Sequence, residues 1–159
     1  SQTARFADNL RRLPAYGLSF DLCVRHDQLP IGEALVRRCP DVTFILDHCG
    51  AQDIDINQPG AWRANIKSLS QLPNLNAKVS GIMAYAGPSW STDQLRPYVE
   101  HIIDCFGWDR VVWGSDHPVV TRGGTLSDWV TATRKIISGA SESEKNQLFN
   151  ANARRIYRL

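Results

Sequence analysis

The chain has 159 residues, of which 43% are hydrophobic and 21% are charged, a balance typical of a globular protein with one sizeable core. Disordered, collagen-like and coiled-coil proteins are excluded by this composition. Eighteen Lys and Arg against sixteen Asp and Glu give a formal net charge of +2, with both signs interspersed along the chain. The charge pattern therefore predicts no nucleic-acid or polyanion partner.

Four short runs rich in β-branched and aromatic residues predict strands. They are residues 19–24, 42–47, 76–80 and 110–115. Their first residues lie 23, 34 and 34 positions apart, which leaves room for a crossover helix after each strand and predicts a parallel α/β sheet. Since no linker or low-complexity stretch interrupts the pattern, we expect a single domain over residues 1–159.

The segments around the strands carry helix signals. An opening helix is predicted over residues 3–13, and Pro30 stands at the first position of the next helix. A capping-box pattern, a Ser followed three positions later by Gln or Glu, occurs at Ser91 and Ser141. The apolar stripe that follows Ser91 stops at Gly107. The predicted order is one helix, four strand–helix units and a terminal helix.

The apolar runs and the cysteines of the sequence also indicate the cellular location. No apolar run approaches the roughly 20 residues that cross a bilayer, and residues 1–9 contain no signal-peptide core. The cysteines stand at positions 23, 39, 49 and 105, without the CxxC spacing of a redox or zinc motif. We therefore expect a cytoplasmic protein with reduced thiols and no membrane partner.

Polar side chains stand where the predicted strands end, which is the edge at which parallel α/β sheets bind ligands. The candidates are His48, Lys78, Ser80 and Asp116. Because the carboxyl ends of parallel strands meet at one edge, we expect these four side chains to converge. Strand alternation further predicts that Phe44 and Leu46 share the inner face with His48, and that Val112 lies on the inner face with Asp116.

Each candidate also has a purely structural interpretation. A histidine at a strand end is often part of a hydrogen-bonded scaffold, and Asp116 before His117-Pro118 is compatible with an Asx turn. Lys78 is compatible with a solvent-exposed charge at the edge of the sheet. Ser80 is compatible with a residue that simply follows the end of a strand. Spacing alone therefore leaves both interpretations open.

Five motifs cover nearly the whole chain. They are Phe20-Asp21-Leu22 with Gln28-Leu29-Pro30, Leu46-Asp47-His48-Cys49-Gly50, Lys78-Val79-Ser80-Gly81, Trp113-Gly114-Ser115-Asp116-His117-Pro118 and Asn152-Ala153-Arg154-Arg155-Ile156-Tyr157. Their order resembles the amidohydrolase-2 family of the amidohydrolase superfamily. Within that family the chain is most similar to sugar-lactone hydrolases of the L-fuconolactonase and L-rhamnonolactonase kind.

The resemblance implies a (β/α)8 TIM barrel. Such barrels typically need about 250 residues, so this chain would supply the C-terminal half, strands five to eight with their outer helices. The family's first strand carries a His-x-His pair that has no match here. We therefore expect about a hundred amino-terminal residues to be missing.

The resemblance also implies roles for the strand-end residues. Asp116 matches the family's strand-eight aspartate, which is the general base for the hydrolytic water. His48 matches the strand-six histidine, which binds a divalent metal or polarises the carbonyl group. His48 and Asp116 are thus the implied catalytic residues and the implied metal ligands. The substrate-binding residues implied beside them are Arg25, Lys78, Ser80 and His117.

A divalent metal such as zinc is implied for the full-length protein, although the chain departs from the family pattern. Gln28 stands where metal-binding relatives often have His, and an amide is a poorer zinc ligand than imidazole. His117 occupies a position that lactonases commonly fill with Trp. We therefore expect this chain alone to provide too few ligands for a tight zinc site.

The implied function is hydrolysis of a small cyclic ester, a sugar-acid lactone, by water that Asp116 activates. Two alternatives remain open: a metal-dependent decarboxylase of the same superfamily, and a non-catalytic half barrel that associates with a partner. Because four strands leave two unpaired edges, we expect a homodimer or association with the missing N-terminal half.

Overall fold

Four parallel strands form one sheet, in the order β1-β2-β3-β4. The computed structural model describes residues 2–51, 54–55, 58–87 and 89–159. The strands are β1 (Phe20–Leu22), β2 (Phe44–Leu46), β3 (Leu75–Val79) and β4 (Val111–Trp113). The α/β class and the half-barrel order predicted from the sequence are confirmed, although three strands are only three residues long.

Helices connect and flank the strands. They are α1 (Ala4–Leu10), α2 (Leu29–Arg38), α3 (Trp62–Leu69), α4 (Ile82–Tyr85), α5 (Thr92–Phe106), α6 (Leu126–Ile136), α7 (Glu142–Asn146) and α8 (Asn152–Tyr157). Both predicted capping boxes are present, at Ser91 and Ser141. Among the described residues, no helix combines the length and apolar character needed to cross a membrane.

The main buried core lies between the sheet and the helices. Phe44 and Leu46 are completely buried in it, together with residues such as Ile66 of α3. The prediction that Phe44 and Leu46 face the inner side is therefore wrong. It assumed that strand alternation continues to His48, whereas the strand ends at Leu46 and His48 has a φ of 54°.

The inner face of the sheet is partly covered by α8. Ile45 of β2 and Val112 of β4 form a second, smaller cluster with Ile156 of α8. Lys78 of β3 pairs in register with Val112 and therefore lies on the same face. The prediction that Val112 is an inner residue is confirmed, but the apolar inner surface is smaller than predicted because Ile156 packs on it.

Asn152 joins α8 to the start of β4. Its amide donates hydrogen bonds to the carbonyls of Trp108 and Val111, at 2.6 and 2.7 Å, and the residue is 3% exposed. Since Asn152→Ala removes the donor from both carbonyls, we expect the free energy of unfolding to fall by about 1–3 kcal/mol, measured by urea denaturation. The control is Asn150→Ala, whose exposed amide binds Asn146. Equal losses in the two variants would contradict this role.

Candidate active site

His48, Ser80 and Asp116 meet at the carboxyl end of the sheet. Nδ1 of His48 lies 3.0 Å from Oγ of Ser80 and 3.8 Å from Oδ2 of Asp116. The three side chains follow β2, β3 and β4, and parallel strands bring such loops to a common edge. The structure therefore brings together three of the four strand-end residues that the sequence singled out.

Left-handed backbone conformations orient two of these side chains. His48 and Asp116 both have a φ of 54°, and Cys49 has a φ of 55°. Such conformations cost non-glycine residues about 1–3 kcal/mol each and cluster at functional sites, because the surrounding fold must impose them. Gly81 packs directly against the imidazole, since a Cβ there would lie 2.7 Å from Nδ1 of His48. The ring of His48 is thus held from two sides.

Lys78 is bound by two carboxylates on the inner face. Its Nζ lies 2.6 Å from Oδ1 of Asp47 and 3.2 Å from Oδ2 of Asp21, and its side chain is 18% exposed. The contact with Asp47 is an ion pair without hydrogen-bond alignment. Burial opposes the charged ammonium, yet the contacts with Asp47 and Tyr157 outweigh it and raise the pKa of Lys78. Lys78 is therefore a fixed cation.

Tyr157 brings α8 into the same group. Its hydroxyl donates a hydrogen bond of 2.7 Å to Oδ1 of Asp21, and Nζ of Lys78 lies 5.6 Å from the centroid of its ring. Burial, together with the bond to Asp21, raises the pKa of Tyr157 to about 12, although Lys78 opposes this shift. The phenol is therefore a neutral donor well into the alkaline range.

In a spectrophotometric titration, Tyr157→Phe should lack the ionisation near pH 12 that the phenol of Tyr157 contributes. We also expect a loss of about 1 kcal/mol in unfolding free energy, a modest value because Asp21 is 42% exposed. The control is Tyr16→Phe, since Tyr16 is 69% exposed. It should leave both the step near pH 12 and the stability unchanged. Because burial also raises the pKa of Tyr98, the readout is the amplitude of the high-pH step, and an amplitude that Tyr157→Phe leaves unchanged would contradict the assignment.

Asp116 has an environment suited to a base. Its Oδ2 is buried and accepts no hydrogen bond from the described residues. Burial raises the pKa of the carboxyl group, and Asp47 adds to the shift while His48 and Lys78 oppose it. A raised pKa makes a carboxylate a stronger proton acceptor.

Cys23 adds a sulfur donor beside Asp47 and His48. Its Sγ, a carboxylate oxygen of Asp47 and a ring nitrogen of His48 all lie within 4.8 Å of one another. Burial, followed by the charges of Asp47 and Asp116, raises the pKa of the Cys23 thiol. Thiolate, carboxylate and imidazole are all ligands of zinc, and Oδ2 of Asp116 is a buried acceptor that has no donor among the residues the structure describes. The donors present thus fit a divalent metal.

Arg25 and His117 occupy exposed positions on the loops after β1 and β4. The Nε and Nη2 groups of Arg25 donate to the two carboxylate oxygens of Asp27, at 3.0 and 2.8 Å. The backbone N–H of His117 donates to Oγ of Ser115. Their assignment to substrate binding stays a prediction.

A family model described as Amidohydrolase matches residues 2–159, which include every residue named in this site. The chain belongs to the amidohydrolase family. The resemblance that the five ordered motifs indicated is therefore confirmed.

Individual relatives of this amidohydrolase chain are longer. It is 35% identical to the uncharacterized protein y4mH of Sinorhizobium fredii. That alignment covers the whole of this chain and 53% of the relative. It is 31% identical, over 91% of its length and 51% of the relative, to an L-fucono-1,5-lactonase of Burkholderia ambifaria. A crystal structure of a Burkholderia multivorans amidohydrolase with bound zinc matches at a TM-score of 0.88 and 26% identity, over 99% of this chain and 58% of that one. The chain spans about half the length of the curated relatives it matches.

Four residues of this amidohydrolase site were missed by the sequence reasoning: Asp21, Cys23, Asp47 and Tyr157. The assumed alternation along β2 placed Asp47 on the helix-facing side. Asp21 and Tyr157 are 136 positions apart, so no local pattern indicates that they pair. Asp21, Asp47 and Tyr157 stand within the family motifs, which are the signal that could have found them, and Cys23 directly follows the first motif.

Proposed function

We propose that these residues form part of the active site of a hydrolase for a small cyclic ester, a sugar-acid lactone, with Asp116 as general base. The observation that carries this proposal is the buried Oδ2 of Asp116, which accepts no hydrogen bond within the described part of the chain and lies 3.8 Å from Nδ1 of His48. The similarity to a relative named L-fucono-1,5-lactonase supports a lactone as the substrate.

Ester hydrolysis needs a base for the attacking water and a partner for the developing oxyanion. Oδ2 of Asp116 takes the proton of the water. We assign Ser80 as the donor to Nδ1 of His48 in their 3.0 Å contact, which leaves the ring proton on Nε2. This N–H stabilises the oxyanion together with the ammonium of Lys78. The proton on Asp116 then passes to the leaving alkoxide as the ring opens. Where a divalent ion is bound, His48 and Asp47 would hold it in place of that N–H donor, and the ion would supply Lewis-acid polarisation of the carbonyl.

The test is a panel of sugar-acid 1,4- and 1,5-lactones followed by proton release, because opening a lactone yields a carboxylic acid. The protein assayed is the complete gene product that carries these residues. We expect turnover of at least one lactone. Release of carbon dioxide from carboxylate substrates without lactone turnover would favour the decarboxylase alternative, and the absence of both activities would favour the non-catalytic half barrel.

We further propose that the edge strands pair with another polypeptide segment. Among the described strands, β1 pairs with β2 alone and β4 with β3 alone. Tyr16 and Leu18, just before β1, are 69% and 55% exposed. Unpaired edges and exposed apolar side chains both favour association.

This chain expressed alone should therefore form a homodimer, or bind the amino-terminal half of its barrel when that half is supplied. Light scattering gives the mass of the particle, and intact mass spectrometry identifies its components. A clean monomer at working concentration that also fails to bind the other half would contradict the proposal.

A further inference from the structure

We propose that Gly123 and Trp90 are positioning residues that hold the carboxylate of Asp116 beside the imidazole of His48. Asp116 follows β4 and His48 follows β2, so the two side chains lie on separate loops. The proposal rests on the function proposed above, in which Asp116 is the general base. It identifies the part of the fold that imposes the left-handed backbone of Asp116.

The loop after β4 folds into one compact turn that begins at Asp116. The backbone N–H of Val120 donates to the carbonyl of Asp116 at 2.9 Å, and Val119–Arg122 form a 3-10 helix. The N–H groups of Gly123 and Gly124 donate to the carbonyl of Val120, at 3.1 and 3.3 Å. Since these bonds link Gly123 to the backbone of Asp116, a displacement of Gly123 should displace Asp116.

Gly123 packs this turn directly against α4. A Cβ at position 123 would overlap the carbonyl group of Met83, because it would lie 2.8 Å from the carbonyl carbon. The φ of Gly123 is −106°, a value open to any residue, so glycine is needed here for space rather than for its backbone freedom. Met83 is 1% exposed, and α4 therefore has little room to yield.

Trp90 binds the same residue of the turn. Its indole Nε1 donates to the carbonyl oxygen of Gly123 at 2.7 Å, and its ring packs against the main core. Val120, which is 2% exposed, adds an apolar anchor in the same core. The turn is thus held at Gly123 by a close steric contact and by a hydrogen bond.

The helix α4 is in turn connected to His48. It begins directly after Ser80 and Gly81. Oγ of Ser80 lies 3.0 Å from Nδ1 of His48, and Gly81 packs directly against the imidazole. The contact of Gly123 with α4 therefore helps to set the 3.8 Å separation between Oδ2 of Asp116 and Nδ1 of His48.

The first experiment is Gly123→Ala in the complete gene product, with circular dichroism to show that the variant is folded. The turn must move by roughly 1 Å to bring the new methyl group to a normal van der Waals distance from Met83. We therefore expect kcat for a sugar-acid lactone to fall about 10–100-fold, because displacements of this size cost up to about 10²-fold. KM should stay within about threefold, since the change affects the base and not the groups that bind the substrate.

The matched control is Gly139→Ala. A Cβ at position 139 would meet nothing within 4 Å, so the same chemical change creates no steric conflict there. This variant should leave both kcat and KM unchanged.

Hydrogen exchange followed by NMR reports the packing of the turn and needs no substrate. In Gly123→Ala the backbone N–H of Val120 should exchange at least about tenfold faster, because its bond to Asp116 opens more often. The N–H of Gly114, which donates to the carbonyl of Val79 at 3.1 Å within the sheet, should exchange at an unchanged rate. A change confined to the turn distinguishes positioning from a general loss of stability.

Trp90→Phe is a milder variant, which keeps an aromatic ring in the core and removes the N–H donor. It should speed the exchange of the Val120 N–H and lower kcat, each by about 2–10-fold, the range expected for one hydrogen bond. The control is Trp113→Phe, which removes an indole donor that binds Thr133 at 3.1 Å. It should change neither quantity.

Unchanged exchange at Val120 in both Gly123→Ala and Trp90→Phe would overturn the proposal, and so would faster exchange with an unchanged kcat. Faster exchange in a protein that hydrolyses no lactone would support the role of Gly123 in holding Asp116. That outcome would count against Asp116 as general base, and thus against the proposed function alone.

Discussion

Asp116→Asn should lower the turnover of a sugar-acid lactone by about 10² or more while substrate binding is preserved. The amide keeps the shape of the side chain but cannot accept the proton of the attacking water. The change is also compatible with the backbone, because Asn tolerates the left-handed conformation that Asp116 adopts. The measurement is steady-state proton release with the complete gene product, and circular dichroism shows whether the variant is folded.

The matched control is Asp93→Asn, the same chemical change on a side chain that is 83% exposed in the first turn of α5. It should leave turnover unchanged. His48→Asn should also lower turnover, because a donor that opposes the developing oxyanion is typically worth about 3 kcal/mol. Near wild-type turnover in Asp116→Asn would show that another group is the base.

Lys78→Met should lower the free energy of unfolding by about 2–3 kcal/mol. The substitution keeps an unbranched chain of similar length but leaves the carboxylates of Asp47 and Asp21 without their cation. Removing one member of a fully buried pair typically costs about 3–5 kcal/mol, and the expected value is lower because Asp21 is 42% exposed. Urea denaturation at neutral pH measures the loss.

The pH dependence of this loss has a defined sign. Because the folded-state pKa of Lys78 is raised, its contribution is fully present below the unfolded pKa of about 10.4 and is lost only as the pH rises through the folded value. The deficit of Lys78→Met should thus be equal at about pH 7 and about pH 9. Lys145→Met, which breaks an exposed pair with Glu142, should cost less than about 0.5 kcal/mol. Similar losses in the two variants would show that Lys78 is an ordinary surface cation.

Local signals accounted for much of the fold. The capping boxes at Ser91 and Ser141 began helices where predicted, since the bonds that define them join residues three positions apart. The helix α1 was predicted to reach residue 13, but it ends at Leu10 and a 3-10 helix with Pro14 at its start follows. Proline has no backbone N–H, so it cannot continue the hydrogen bonding of an α-helix.

The candidate site was predictable only in part. His48, Ser80 and Asp116 could be found because each stands at a strand end, and parallel strands place their ends together. The side of β2 that faces the helices could not be derived by extending alternation through His48, whose left-handed backbone breaks that pattern. The pairing of Tyr157 with Asp21 arises from α8 returning to the first strand, a tertiary contact without a local signature.

The left-handed conformations at positions 48, 49 and 116 would shape a saturation-mutagenesis map of this protein. Tolerance at positions 48 and 116 should follow the backbone as well as side-chain chemistry, with Gly and Asn retaining the fold and β-branched residues losing it. Position 49 is completely buried and should exclude polar residues such as Asn as well. The native side chains already bear a backbone cost of about 1–2 kcal/mol, which a glycine substitution relieves and an alanine substitution keeps. At positions 48 and 116 a glycine variant should therefore be more stable than the matching alanine variant, although both lack the functional group.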